Sequence, residues 1–96
     1  MTRLLAEQAY YKIIREVDSI TQRNTEQKRV IYLYEDRIAT KYREFHIDHV
    51  IDISYRFIGK QGGLLYLHTN KGLFSYPVKS SPEEFVKAFK GFKGII

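Results

Sequence analysis

The sequence GLLYLHTNKGLFSYPVKSSPEEFVKAFKGF, from Gly63 to Phe92, predicts a β-hairpin followed by a helix. Residues with high β propensity predominate on both sides of Asn70–Gly72, and in the second run large apolar residues alternate with Ser and Pro. Asn and Gly tolerate a positive φ, so the segment between the two runs suits a short turn. Pro77 has no backbone N–H to donate, which places it at a strand end or on an outer edge.

The helix that follows carries a start signal. Ser81 is the predicted N-cap, Pro82 fits the first helical position, and Glu84 stands three residues after Ser81, as a capping box requires. Three aromatic residues at positions i, i+4 and i+7 form one apolar face, and they are Phe85, Phe89 and Phe92. We interpret this face as a stripe packed on the sheet.

Residues 1–23 predict an N-terminal amphipathic helix. They contain no Gly or Pro, and their apolar residues recur in steps of three and four. Two interpretations stay open: the helix packs on the sheet of its own chain, or it binds a partner protein or a second copy. The interacting residues would then be Tyr10, Ile13, Val17 and Ile20. Residues 24–28 are polar and are predicted to be a linker.

Residues 29–96 predict an antiparallel sheet closed by the C-terminal helix. A strand from Arg29 to Tyr34 leads through a tight turn at Glu35–Asp36 into a run that bends near Tyr42–Glu44, and another strand covers His49–Ile58. Every connection is too short for a crossover, so neighbouring strands should be antiparallel. The predicted fold class is therefore α+β, with an N-terminal helix, a meander of five to six strands and a C-terminal capping helix.

Four segments within residues 30–89 resemble the small bacterial pleckstrin-homology-like domains, and they are VIYLYEDRIAT, FHIDHVIDISY, GLLYLHTNKGLFSYPV and SPEEFVKAF. The resemblance implies a partial barrel closed by the last helix. A complete pleckstrin-homology fold has seven strands, whereas only five or six can be placed in this sequence. Because exposed sheet edges are usually covered or paired, we expect the N-terminal helix or a second copy of the chain to fill the gap.

The charge distribution indicates where an anionic ligand would bind. The chain has 16 basic and 11 acidic residues, a net charge of +5, and most of the excess lies after His49. Such a balance permits an anionic membrane or a nucleic acid as partner. In pleckstrin-homology domains that bind inositol phosphates, a Lys is followed after a gap by Lys-x-Arg, and Lys28, Lys41 and Arg43 resemble that spacing. The acidic turn at Glu35–Asp36 would repel a phosphate there. The candidate anion-binding residues are Lys28, Lys41, Arg43, Arg56, Lys60 and Lys71.

No catalytic or metal-binding motif emerges from the sequence. It lacks a G-x-S-x-G elbow and a carboxylate pair placed for burial. His46 and His49 form H-x-x-H, but in a strand their side chains would point to opposite faces, so we predict neither a metal site nor a cofactor. No small-molecule substrate is indicated, and we predict that the protein is not an enzyme.

The leading functional prediction is a protein–protein interaction or assembly module, for which a homodimer is one arrangement. The alternative is a peripheral binder of anionic lipid headgroups or nucleic acid that uses the basic C-terminal half. The chain has no cysteine, no segment resembling a signal peptide and no apolar run long enough to span a bilayer. We therefore expect a cytoplasmic location.

Overall fold

The computed structural model describes residues 3–17 and 22–94, which form two antiparallel sheets and one α-helix. The first sheet has the order β1–β2–β3–β4, and its strands are β1 (Leu4–Val17), β2 (Gln22–Tyr34), β3 (Arg37–Ala39) and β4 (Glu44–His46). The second sheet has the order β5–β6–β7, and its strands are β5 (Val50–Phe57), β6 (Gly63–Thr69) and β7 (Gly72–Val78). Helix α1 covers Glu83–Lys93, and short 3₁₀ turns cover Ile47–His49 and Gly59–Gln61.

The predicted N-terminal helix is wrong, and with it the α+β fold class with a five- to six-stranded meander. Residues 4–17 form β1, which pairs with β2 from Ala6 opposite Leu33 to Val17 opposite Gln22. The protein is thus mostly β, with seven strands and a single helix at the C-terminal end of the described residues. The polar residues 24–28, predicted as a linker, lie inside β2.

The structure explains why β1 is a strand although its apolar spacing suits a helix. Its Tyr, Ile and Val residues favour extended backbone, and β2 satisfies the hydrogen bonds along one of its edges. On its inner face, Gln8 and Tyr10 are buried next to Ala6. The Gln8 amide donates to the carbonyl oxygen of Ser80 at 3.3 Å and to its hydroxyl at 3.2 Å, which ties β1 to the segment after β7.

The central part of the chain follows the sequence prediction closely. The turn at Glu35–Asp36 separates β2 from β3, and β4 begins at Glu44 after a second turn, which confirms the predicted bend. The β6–β7 hairpin is also confirmed, with Thr69 opposite Gly72 and a φ of 126° at that glycine. Pro77 lies on β7, which is an edge strand of its sheet.

The core lies between the two sheets and under α1. Phe85 and Phe89 are buried, whereas Phe92 is 45% exposed and does not continue the predicted stripe. The C-terminal helix is confirmed, but it begins one residue later than predicted. Pro82 precedes its first residue, and the Ser81 hydroxyl accepts a 3.4 Å hydrogen bond from the N–H of Glu83. The aliphatic residues that are completely buried beside the two phenylalanines are Ile31, Leu33, Ile38, Val50, Ile53, Leu65 and Leu67.

Beyond the core, β1 and β2 continue as a two-stranded ribbon. We call residues 11–17 and 22–30 the distal ribbon. The last buried residues before it are Tyr10 on β1 and Ile31 on β2, and Ile13 within it is 56% exposed. The molecule measures 52 Å along its longest axis but only 28 and 25 Å across the others. Among the described residues, no helix is long and apolar enough to cross a membrane.

Candidate functional site

A groove of about 470 Å³ opens where the edge strands of the two sheets face each other. One wall comes from β1 and its neighbour β2, the other from β7, and the turn between β3 and β4 forms the third side. In the described part of the chain β1 and β7 contact each other without forming a ladder. We call this site the cationic groove, since its charged lining residues are Lys12, Arg29 and Arg43.

Aromatic side chains build the walls of the cationic groove. Tyr10 from β1 meets Tyr76 from β7 edge to face, with ring centroids 4.9 Å apart. Phe45 from β4 meets Phe74 from β7 at the same centroid distance. Such edge-to-face pairs stabilise packing beyond the area they bury. The groove therefore has firm walls that join both sheets.

The turn between β3 and β4 fixes the backbone of Arg43. The N–H of Thr40 donates to the carbonyl oxygen of Arg43 at 2.8 Å, and the Thr40 hydroxyl accepts from the N–H groups of Tyr42 and Arg43 at 3.3 and 3.1 Å. From this turn the Arg43 guanidinium lies 4.7 Å from the ring centroid of Phe74. Its position over the ring is a cation–π contact, which holds the charge without neutralising it.

Arg29 is held in a similar way on the opposite wall. Its guanidinium lies 4.5 Å from the ring centroid of Tyr42, and it donates a 2.9 Å hydrogen bond to the side-chain oxygen of Gln27. No acidic residue lines the groove, and neither Arg29 nor Arg43 pairs with a carboxylate in residues 3–17 and 22–94. Two guanidinium groups thus present their donors to the groove with their charge uncompensated.

Tyr76 adds a neutral polar group to the same wall. The pKa of Tyr76 is raised from 10.0 to about 12, chiefly by burial and in part by the nearby Tyr10, while Arg43 acts in the opposite direction. The phenol therefore stays protonated at neutral pH and can donate a hydrogen bond. Two arginines and one phenol give this site the donors that recognise a carboxylate or a phosphate.

The structure separates the six predicted anion-binding residues. Arg43 lines the cationic groove, and Lys41 lies near it with its ammonium 5.5 Å from the Tyr42 ring centroid. Lys28 and Lys41 both line a second depression, which runs from β2 to the turn between β3 and β4 beside Tyr32 and Tyr34. The remaining three lie at two ends of β6: Arg56 and Lys60 precede it, and Lys71 follows it.

The basic excess of the second half does not form one surface. Lys79 pairs with Glu26, and Lys87 pairs with Glu83 at 3.0 Å. Lys93 donates to the carbonyl oxygen of Ile47 at 3.1 Å. The cations of the cationic groove, in contrast, all come from the first half of the chain.

The four residues predicted for an interaction helix do not share a helical face, since β1 is extended. Tyr10 is buried and belongs to the groove wall, whereas Ile13 is exposed at the groove margin. Val17 ends β1 opposite Gln22, and Ile20 lies outside the described residues.

His46 and His49 do not point to opposite faces, and that prediction is wrong. The 3₁₀ turn at Ile47–His49 brings their ring centroids to 5.4 Å, because residues three apart are adjacent on such a turn. The backbone N–H of Asp48 donates to Nδ1 of His46 at 3.2 Å. Within the described ranges, no group of three or more His, Cys, Asp or Glu residues could hold a metal ion.

Sequence reasoning also missed a Ser–His contact. Ser54 Oγ lies 2.8 Å from His68 Nε2 across the β5–β6 pair, and Asp52 is directly opposite His68 in the register. The Asp52 carboxylate accepts a 2.9 Å hydrogen bond from the N–H of Ile53. A catalytic triad also needs a carboxylate that is hydrogen-bonded to the other ring nitrogen of the histidine. Among the described residues, His68 shows no such bond.

Most residues of the cationic groove carry no sequence signal of their own. Arg29 lies on one run, Phe74 and Tyr76 lie on another, and the spacing of both runs predicts only strands. The pairing of β1 with β2 sets Tyr10 opposite Arg29, and the contact of Tyr10 with Tyr76 brings β7 to them. Neither the models of known protein families nor the curated proteins yield a match to this sequence. The resemblance to pleckstrin-homology-like domains therefore stays a prediction.

Proposed function

We propose that this protein is a non-enzymatic interaction module whose cationic groove binds an acidic, extended segment of a partner protein. The observation that carries the proposal is the pair Arg29 and Arg43, each stacked on an aromatic ring in a groove without acidic residues. A stacked guanidinium is weakly hydrated and keeps its donors free for a carboxylate. An acidic ligand would supply carboxylates that neutralise the two guanidinium groups.

The composition of the groove favours a protein segment as the ligand. Tyr, Phe and Arg are the residue types that are enriched where proteins bind each other and that contribute most to affinity there. The groove has Tyr10, Tyr76 and Phe74 in its walls, which offer rings to apolar side chains between the acidic ones. The lack of cysteine supports our further proposal of a cytoplasmic location.

Fluorescence anisotropy with a labelled peptide of alternating Glu and Val residues tests the proposal. We expect saturable binding that weakens as salt increases, because charge attraction is screened. Arg43→Ala should lower the affinity by about 10-fold to 100-fold, the worth of a hydrogen bond to a charged group. Arg29→Ala should act in the same direction. The circular dichroism spectrum should be unchanged, since Arg43 is exposed.

Lys60→Ala is the matched control, because it removes the same charge from the turn before β6, outside the groove. Equal affinities of the Arg43→Ala and Lys60→Ala proteins would contradict the proposal. Phosphatidylserine vesicles and a single-stranded oligonucleotide serve as competing ligands. If either binds in an Arg43-dependent way while the peptide does not, the groove recognises a lipid headgroup or a nucleic acid, and the proposal fails.

A further inference from the structure

We propose that the acidic segment binds as an added strand on the free edge of β7, with hydrogen bonds to the backbone of Leu73 and Ser75. This inference rests on the proposed function of the cationic groove. It specifies how the partner binds, namely by extending the β5–β6–β7 sheet. The partner would then be recognised by its backbone as well as by its charge.

The direction of the backbone groups on β7 follows from its pairing with β6. In an antiparallel pair, every second residue turns its N–H and C=O away from the neighbouring strand. Pro77 lies opposite Leu64 and has no N–H, so it fits a position whose nitrogen faces away from β6. Because this direction alternates along a strand, the backbone N–H and C=O groups of Ser75 and Leu73 also face away from β6.

The turn of the hairpin gives the same assignment independently. Thr69 and Gly72 are opposite each other and enclose a two-residue turn, so this pair exchanges hydrogen bonds across the hairpin. The next residue on β7, Leu73, therefore turns its backbone groups outward, and Ser75 follows two positions later. Leu73 and Ser75 both carry a free N–H and C=O in this arrangement, and Pro77 adds one C=O.

The edge formed by these residues is accessible. Leu73 is 59% exposed, Ser75 is exposed, and Ser75 lines the cationic groove. In the part of the chain that the structure describes, the N–H of Ser75 forms no hydrogen bond with another segment. Pro77 ends the row of donors, so the edge suits an added strand of roughly three to five residues.

The side chains of β7 define the sequence that such a strand should have. The side chains of Phe74 and Tyr76 share one face of β7, where Arg43 lies over the Phe74 ring, whereas those of Leu73 and Ser75 alternate to the other face, although Ser75 also borders the groove. Side chains on the added strand alternate in the same way. Acidic residues at alternate positions would therefore meet Arg43 and Tyr76, and apolar residues between them would lie beside Leu73.

Ser75→Pro in the full chain tests strand addition directly. It removes the outward N–H of Ser75 and leaves the β6–β7 ladder intact, because that N–H does not point toward β6. We expect the affinity for the alternating Glu/Val peptide to fall by about tenfold or more, since one outward donor is lost and the proline ring obstructs the edge. Ser75→Val keeps the N–H and should therefore bind the peptide more tightly than Ser75→Pro does.

A second measurement does not depend on how the variant folds. The same peptide is N-methylated at every second amide, in each of the two possible phases, and titrated into the unchanged protein. We expect one phase to bind at least tenfold more weakly than the other, because only one set of amides faces β7. Equal affinities of the two phases would overturn strand addition.

The outcomes separate the two proposals. If folded Ser75→Pro binds as tightly as the unchanged protein while Arg43→Ala binds weakly, strand addition is wrong and the acidic-segment groove stands. If Arg43→Ala also binds normally, or the peptide does not bind at all, the proposed function itself is wrong. Weak binding by Arg43→Ala and Ser75→Pro, with tighter binding by Ser75→Val than by Ser75→Pro, supports both proposals.

Discussion

The side of the sheets covered by α1 and the side that opens at the cationic groove are built from different chemistry. Under α1, Phe85 and Phe89 meet aliphatic residues such as Ile53 and Leu65, and none of these side chains is more than 1% exposed. At the groove, Phe74 and Tyr76 are only half-buried, and Arg43 covers one of the rings. The first side is sealed, and the second remains available to a ligand.

The difference shows what each kind of side chain contributes. A phenylalanine that is completely buried stabilises the fold through the apolar area removed from water. A half-buried aromatic stabilises it less, but its outer face remains free to hold a guanidinium or an incoming side chain. Variants in the two regions should therefore separate stability from binding.

The largest effect is expected from Phe89→Ala. The side chain is completely buried, so its removal leaves a cavity and should lower the free energy of unfolding by about 3–5 kcal/mol. Phe74→Ala, in the groove wall, should cost clearly less, because the ring is only partly buried. Denaturant titrations of the two variants measure the contrast. Equal losses of stability would show that the groove wall is as much a part of the core as α1 is.

A smaller effect is expected at alkaline pH from Tyr76. Its folded pKa of about 12 exceeds the ordinary value of 10.0, so its contribution to stability is fully present below pH 10. Above that pH the unfolded chain releases the proton more readily than the folded one, and this contribution is lost as pH rises to about 12.

Tyr76→Phe serves as the comparison, because it cannot ionise. Denaturant titrations at a series of pH values should show a shallower loss of stability above pH 10 for Tyr76→Phe than for the unchanged protein. Identical slopes would mean that the Tyr76 phenol is as hydrated as an ordinary surface tyrosine. Tyrosinate absorbance gives an independent record of the same titration.

The smallest effect is expected from Lys79→Ala. The Lys79 pKa is raised mainly by its hydrogen bond to Glu26, and its ammonium lies 4.5 Å from the ring centroid of Tyr11. Both partners lie on the distal ribbon, and exposed ion pairs contribute little to global stability. We expect an unchanged denaturation midpoint but faster amide hydrogen exchange around Tyr11 and Glu26. A clear loss of global stability would contradict this assignment.

The sequence predicts the second sheet and α1 well, because local signals there agree with the tertiary environment. The residues Asn70–Gly72 require a tight turn, and alternation on β7 matches its burial. Phe92 is the exception. Its spacing from Phe89 continues the stripe, but the residue lies in the last turn of α1 and remains partly exposed. The spacing of residues along a helix shows which of them lie on the same face. It does not show whether another part of the protein covers that face.

Residues 4–17 and 24–28 could not be predicted, because their local pattern and their pairing disagree. A polar Gln8 interrupts the inner apolar face of β1, and its buried amide donates hydrogen bonds to Ala9 and to Ser80, which is 72 residues away. Residues 24–28 look like a linker because the distal ribbon has no fully buried face in its described side chains, so neither side of β2 must be apolar there. The position of Arg29 in the groove depends both on the burial of Gln8 in β1 and on the strand conformation of residues 24–28.

The contact between α1 and β1 joins the last and the first regular elements of the described chain. Neighbouring strands in each sheet pair through short loops and can form early, whereas this contact closes a loop of nearly the whole chain and is slow to form. Until Phe85 and Phe89 reach their places, the part of the core that they cover stays exposed to water. On the ribosome, folding therefore completes only after the last turn of α1 has been synthesised.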